Sequence, residues 1–381
     1  MTTSAGDGLW RSPSSTGPRR PGARRRAREG PWPMTPKPSQ PATPSTGATR
    51  TTLTARTPED LLAAAAVVLG FWPTESVVLL TLDARHRFHA RVDLPPPDDP
   101  VALAEVADSL LRPATRHGAG RVVLLVYTDD ARAAAAAWTA LREAFARSPV
   151  VVVEAVRVAA ARWYPLLARD PALRTAGVAY STDALATHPF LAHAVLDGRV
   201  THGSRGDLAA TLAPDPAGVA AVAALLAPAH DDPAHDDPSG DDPAEDAWAE
   251  VLVRTHLDAG TCCSDPEAAR LLRGMRSRRV RDAAWSGIAP GRARAAVVLL
   301  SDLVRRSPPH LRSAPAALLG WAAWQAGDGA LAWCAVDRCR EVDPGCTLAD
   351  LVAEALERAV PPTAWSATAR DPGRAEGLDS A

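Results

Sequence analysis

Apolar positions fall along this chain in stretches of distinct rhythm. Leu61, Leu62, Ala65 and Leu69 recur at helical spacing, and Gly70 ends the run. Just before them stands Thr57-Pro58-Glu59-Asp60, which predicts Thr57 as the N-cap and Pro58 as the first helical position, with two acids at the positive helix end. Val77 to Leu82 is a continuous apolar run of strand length, the pattern of a strand buried on both faces. Asp83-Ala84-Arg85-His86 turns the chain. Phe88, Ala90, Val92 and Leu94 then alternate with His89, Arg91 and Asp93, as in a half-buried strand, so the two strands read as a hairpin. A helix near 100–112 leads to a second buried strand, Arg121 to Tyr127. Thr128-Asp129-Asp130 opens a helix over Ala131 to Arg147, and Val150 to Val158 is a further strand. Strand, helix, strand at this spacing is a βαβ unit with parallel strands. Residues 51–212 therefore read as an α/β domain with a mixed sheet and helices on its faces.

The rhythm after residue 246 is helical throughout. Trp248, Val251, Leu252 and Thr255 share a face, Ser264-Asp265-Pro266-Glu267 starts another helix, and a third runs over 291–306. Ala314, Ala317, Leu318, Trp321 and Trp324 make a helix broken by Gly327-Asp328-Gly329. Leu331, Cys334, Ala335 and Arg338 make the next, which stops before Asp343-Pro344-Gly345. Leu348, Leu351, Val352, Ala355 and Leu356 follow on another. Leu318 to Val352 spans 34 residues, the period of a tetratricopeptide-like helix pair. The fold class is thus an α/β N-terminal domain followed by an all-α C-terminal domain, 247–365, containing that pair.

Three segments carry no such rhythm. Residues 1–50 are rich in Pro, Ser, Thr and Arg, with nine basic residues against two acidic ones, and cannot bury enough apolar surface to offset their ordering entropy. A secretory or twin-arginine signal fails here, because Glu29-Gly30-Pro31-Trp32-Pro33 stands where an apolar region should begin. Met34 is the expected start of translation. Residues 213–246 read as a helix followed by an acidic linker: His230 to Asp246 repeats an Asp-Asp-Pro unit and holds eight acids. Residues 366–381 form a polar tail.

Composition narrows the possible functions. Of 42 Lys and Arg, one is Lys37, so 41 are arginine, and the formal net charge is −2. That balance gives no general case for nucleic-acid or membrane binding. No apolar run reaches the roughly 18–20 residues of a membrane span. The five cysteines show no C-x-x-C and no zinc spacing, so reduced thiols in the cytoplasm are expected and no metal site is. There is no G-x-G-x-x-G after a strand and no phosphate-binding G-x-x-x-x-G-K, and neither cofactor nor oligomeric state has a signal.

Candidate chemistry is sparse. Ligands of open α/β sheets sit beyond the C-terminal strand ends. Thr128, Asp129 and Asp130 occupy such an end, and Asp83 follows the first strand; as a site these would face a ligand, and as structure they would cap helices. Arg205 is a candidate anion clamp. Trp321 and Trp324 either line a groove for a protein partner or fill the helical core. His188 and His193 are spaced five apart, not the four that puts two ligands on one helix face. His202-Gly203-Ser204-Arg205-Gly206 misses the nucleophile-elbow pattern at its first position.

Several segments carry a family likeness. Thr54 to Leu80, with T-x-R-T-P-E-D-L-L-A-A-x(4)-L-G-F-W-P-T-E-S-V-V-L-L, resembles the opening of domain-of-unknown-function family 4192, a bacterial family. Asp197-Gly198-Arg199 with Ser204-Arg205 and Leu208 is similar to its middle. Val280 to Ala284, Leu319 to Leu331 and Val342-Asp343-Pro344 are similar to its end. The resemblance spans nearly all of 51–365, departs at the long acidic insert, and implies no activity. The sequence leads to a ligand-sensing or protein-interaction module, with a small-molecule enzyme built on Asp129, Asp130 and Arg205 as the alternative.

Overall fold

A computed structural model of the chain describes residues 54–84, 88–226 and 243–364. The Arg-rich segment 1–50, the acidic insert up to residue 242 and the 366–381 tail lie outside the described residues.

Helix α1, Pro58–Leu69, starts where the sequence predicts. The Thr57 hydroxyl accepts from the Asp60 N–H, the Asp60 carboxylate accepts from the Thr57 N–H, and Gly70 closes the helix at φ 75°, a left-handed turn that a side chain would strain. Strands β1 (Ser76–Thr81) and β2 (His89–Asp93) form the expected hairpin. Helix α2, Pro100–Arg116, runs four residues past its predicted end. Then come β3 (Arg121–Tyr127), α3 (Ala131–Ala146) and β4 (Val151–Ala159), with β3 and β4 parallel. Two short strands that the sequence did not announce, β5 (Arg162–Pro165) and β6 (Val178–Ala179), extend the sheet to six strands in the order β2-β1-β3-β4-β5-β6. The sheet is mixed, because β1 runs antiparallel to both β2 and β3.

Short helices connect the sheet to the rest: α4 (Pro171–Ala176), α5 (Thr182–Ala186), α6 (Pro189–Leu196) and α7 (Arg205–Ala210). Helix α8 is Pro216–Leu226. Helix α9, Pro243–Ala259, takes over the last four residues of the predicted linker: Pro243 stands at a position that needs no N–H, and Glu245 and Asp246 pair with Arg270 and Arg279. The remaining helices are α10 (Asp265–Gly274), α11 (Arg278–Ser286), α12 (Ala293–Arg306), α13 (Ser313–Gln325), α14 (Gly329–Arg340) and α15 (Thr347–Glu357). An N-terminal α/β part and a helical C-terminal part are both present.

The alternation along β1 and β3 feeds two cores. Val77, Leu79, Val122, Leu124 and Val126 pack with Leu110 of α2 and Leu141 and Phe145 of α3. Val78, Leu80, Val123, Leu125 and Tyr127 face the other way, onto Leu62 and Leu69 of α1. That second cluster continues without a break through Leu271, Leu299, Trp321 and Val352 of the helical part. Helix α13 is its centre, buried from Pro315 to Gln325 on every side. The backbone adds a further tie: His202 exchanges hydrogen bonds with Gly70 and Trp72, so the loop before α7 runs alongside the end of α1.

Candidate ligand-binding cleft

The junction of the two parts encloses a cleft of about 570 Å³, within the usual range for small-molecule sites. Three walls build it. The last turn of α1 supplies Val67, Val68 and Gly70. The segment after α6 supplies Gly198, Arg199, Val200 and His202. The third wall is one face of α12, with Ala326, Asp328 and Leu331 from the α13–α14 turn closing the end. Along α12 the cleft residues are Arg294, Val297, Val298, Ser301, Asp302 and Arg305. Their spacing of three and four is that of a single helix stripe. The opposite stripe, Ala296, Leu299, Leu300 and Leu303, is the one buried in the core. Burying an apolar stripe thus obliges α12 to turn its arginines toward the cleft.

Cationic side chains predominate in the lining. The half-buried Arg199 guanidinium and that of Arg305 make no hydrogen bond or ion pair among the described residues. Arg294 Nη1 donates to the Asp197 carbonyl at 2.9 Å. His202 completes the set. Two carboxylates oppose them. Asp302 is already paired with Arg306. Asp328 is the N-cap of α14, accepting from the Leu331 N–H at 3.0 Å; burial pushes its carboxyl up, and Arg199 and His202 pull it only part of the way back. Cys262 brings a thiol whose pKa is raised by burial and by Asp302, so it is not an activated nucleophile.

Of the residues singled out from the sequence, His202 lines the cleft and the other candidates lie elsewhere. Asp130 is the N-cap of α3, its carboxylate accepting from the Arg132 N–H at 2.7 Å. The Asp129 carbonyl accepts from Arg157 Nη2, and Thr128 donates to Glu75 at 2.8 Å. Arg205 is paired with Asp337 of α14 at 2.8 Å and does not line the cleft. Asp83 stands at the opposite end of the sheet from Asp129, because β1 is antiparallel to β3: its carboxylate accepts from the Gly120 and Arg121 N–H groups. His188 caps α6 and bonds Asp60 at 2.9 Å. Trp321 and Trp324 are 3% and 4% exposed. Trp321 packs edge-on against Trp285, and the Trp324 indole N–H donates to the Val360 carbonyl. Their rings fill the core and offer no face to a partner. The cleft arginines, Arg199, Arg294 and Arg305, were missed by sequence reasoning; the polar stripe on α12 was the available signal. Among the described residues no group of three or more His, Cys, Asp or Glu is placed to hold a metal, and no helix is long and apolar enough to cross a membrane.

Three stretches with the family likeness meet at this cleft: the end of α1, the Asp197–Leu208 segment and the Ala326–Leu331 turn. Neither a curated protein nor a solved structure matches the chain. A family profile described as Domain of unknown function (DUF4192) matches residues 58–363, and the chain belongs to that family.

Proposed function

We propose that the protein is a small-molecule-binding module whose ligand occupies the cleft between α1, the Gly198–His202 segment and α12. The observation that carries this reading is the half-buried Arg199 guanidinium, which makes no hydrogen bond or ion pair among the described residues, on the wall of a 570 Å³ cavity. Exposed arginines are ordinary, but a half-buried one with no acceptor is a binding group awaiting its ligand. A cytoplasmic site of action is supported by the five free cysteines, among them Cys339 and Cys346, which lie in hydrogen-bond contact without being bridged. In the same reading α13 and α14 keep the 34-residue repeat-like spacing and serve as the rigid back wall, not as a docking groove, because Trp321 and Trp324 are enclosed.

The test is thermal unfolding of the full chain against a metabolite panel, with a cleft-filling variant, Val200→Trp, run beside it. A ligand at a hundred times its Kd stabilises by about 2.7 kcal/mol, a shift of several degrees. The expected outcome is a shift in the wild type that Val200→Trp abolishes while keeping its own unfolding temperature. A shift of equal size in both proteins would place the ligand outside the cleft and overturn the reading.

A further inference from the structure

The lining of the cleft is uneven, and the unevenness describes what fits. Arg199, Arg294 and His202 gather at one pole: Arg294 is bonded to Asp197, two residues before Arg199, while Arg199 and His202 both act on Asp328. Arg305 stands eleven residues along α12, about 16 Å from Arg294 at 1.5 Å per residue. Between these poles α12 contributes Val297 and Val298 and then the polar Ser301 and Asp302, while α1 contributes Val67 and Val68. Two lining valines remain far more open than the core around them, Val200 at 66% and Val298 at 57%. Both valines line the same cleft as the cationic pole, where an apolar ligand body could cover them.

We infer that the cleft takes a small molecule with an anionic oxygen head group, phosphate or carboxylate, held by Arg199 and Arg294, and a compact apolar body lying on Val200, Val297 and Val298. This rests on the cleft being the ligand site. The planar guanidinium fork of Arg199 matches either head group with two parallel N–H···O bonds. The two aspartates do not cancel the pole. Asp302 is paired with Arg306, and the Asp328 carboxylate is turned to the Leu331 N–H as the cap of α14. A cationic ligand would have to approach three arginines and a histidine.

Four probes with one apolar body separate the possibilities: benzyl phosphate, phenylacetate, benzyl alcohol and benzylamine, titrated calorimetrically into the full chain and into Arg199→Gln. The expected result is binding of benzyl phosphate or phenylacetate at least ten-fold tighter than benzyl alcohol, with no heat from benzylamine. Whichever anion is preferred names the head group. Arg199→Gln should remove that ten-fold advantage while the protein stays folded, since the guanidinium makes no hydrogen bond or ion pair among the described residues. Equal binding of alcohol and anions, a preference for the amine, or an anion advantage that survives Arg199→Gln overturns the inference, as does silence from all four probes. These outcomes are separable from failure of the binding-module reading. A neutral or cationic metabolite whose shift is abolished by Val200→Trp would keep that reading and discard the anion.

Discussion

Asp328 shows how a single residue serves fold and site with opposed demands. As the α14 N-cap its oxygen must face the Leu331 N–H, and that position also points it into the cleft, where burial disfavours its charge. Asparagine caps about as well as aspartate and carries no charge. Asp328→Asn should therefore equal or exceed the wild type in stability at pH 7, whereas Asp328→Ala should lose about 1 kcal/mol with the cap. The pH dependence has a definite sign. The folded pKa lies above the unfolded value of about 3.9, so the native carboxyl gives its full stability below that value and loses it as pH rises through the folded pKa. The stability difference between Asp328→Asn and wild type should grow from pH 4 to pH 7 in urea titrations; a difference that is flat or shrinks with pH would refute the assignment. Residues whose role is local were legible in just this way: Thr57, Pro58 and Gly70 bracket α1 as expected, because capping is decided within four residues. Asp129 and Asp130 stood at a plausible strand end, but Asp130 answers only to the neighbouring N–H group.

At the scale of elements, what the sequence hides is whatever depends on a partner far along the chain. The hairpin, the βαβ unit and the long helices declare themselves through their own periods. The strands β5 and β6 do not: they are four and two residues long, and pair because Trp163 is fixed from outside, its indole N–H donating to Glu59 of α1. The cleft is hidden for the same reason, its walls coming from four stretches between Val67 and Leu331. Arg306 shows how such distant elements are locked. Its side chain, 11% exposed, donates to Asp265 at 2.8 Å, to the Cys263 carbonyl at 2.9 Å and to Asp302, joining α12 to the start of α10. Arg306→Met should cost about 2 kcal/mol in urea denaturation. That lies below the 3–5 of a fully buried pair, because both aspartates remain partly in water. The same side chain presses on α8: a Cβ at Gly218 would stand 2.6 Å from Arg306 Cγ. Gly218→Ala should thus destabilise the wild type although alanine is the better helix former by about 1 kcal/mol, and should become stabilising in an Arg306→Ala background. Additive effects of the two changes would refute the coupling.

For the molecule as a whole, the decisive fact is that the core facing α1 does not stop where the sheet does. Leu62 and Leu69 lie in the same cluster as Val78 and Leu125 of the sheet and Leu299, Trp321 and Val352 of the helices. Sequence periodicity divides the chain at its acidic insert, since a change of rhythm is visible there and a shared core is not. Which faces meet is a property of the folded packing alone. The Arg205–Asp337 pair crosses the same seam. Cooperativity follows buried contact, so elements sharing a continuous core unfold together. The full chain should show one thermal transition, with far-ultraviolet signal from all helices coinciding with the near-ultraviolet signal of the helical part's tryptophans, read with Trp72, Trp138 and Trp163 of the α/β part changed to Phe. Leu62→Ala tests it more sharply. It removes a fully buried side chain from α1, in the α/β part, at a cost of about 2–5 kcal/mol. Under a shared core that loss lowers the unfolding temperature of the tryptophan signal as much as that of the whole. If the tryptophan transition stays in place while an earlier one splits away, the two parts fold independently, and a cleft formed between them would depend on their docking instead of on a single rigid core.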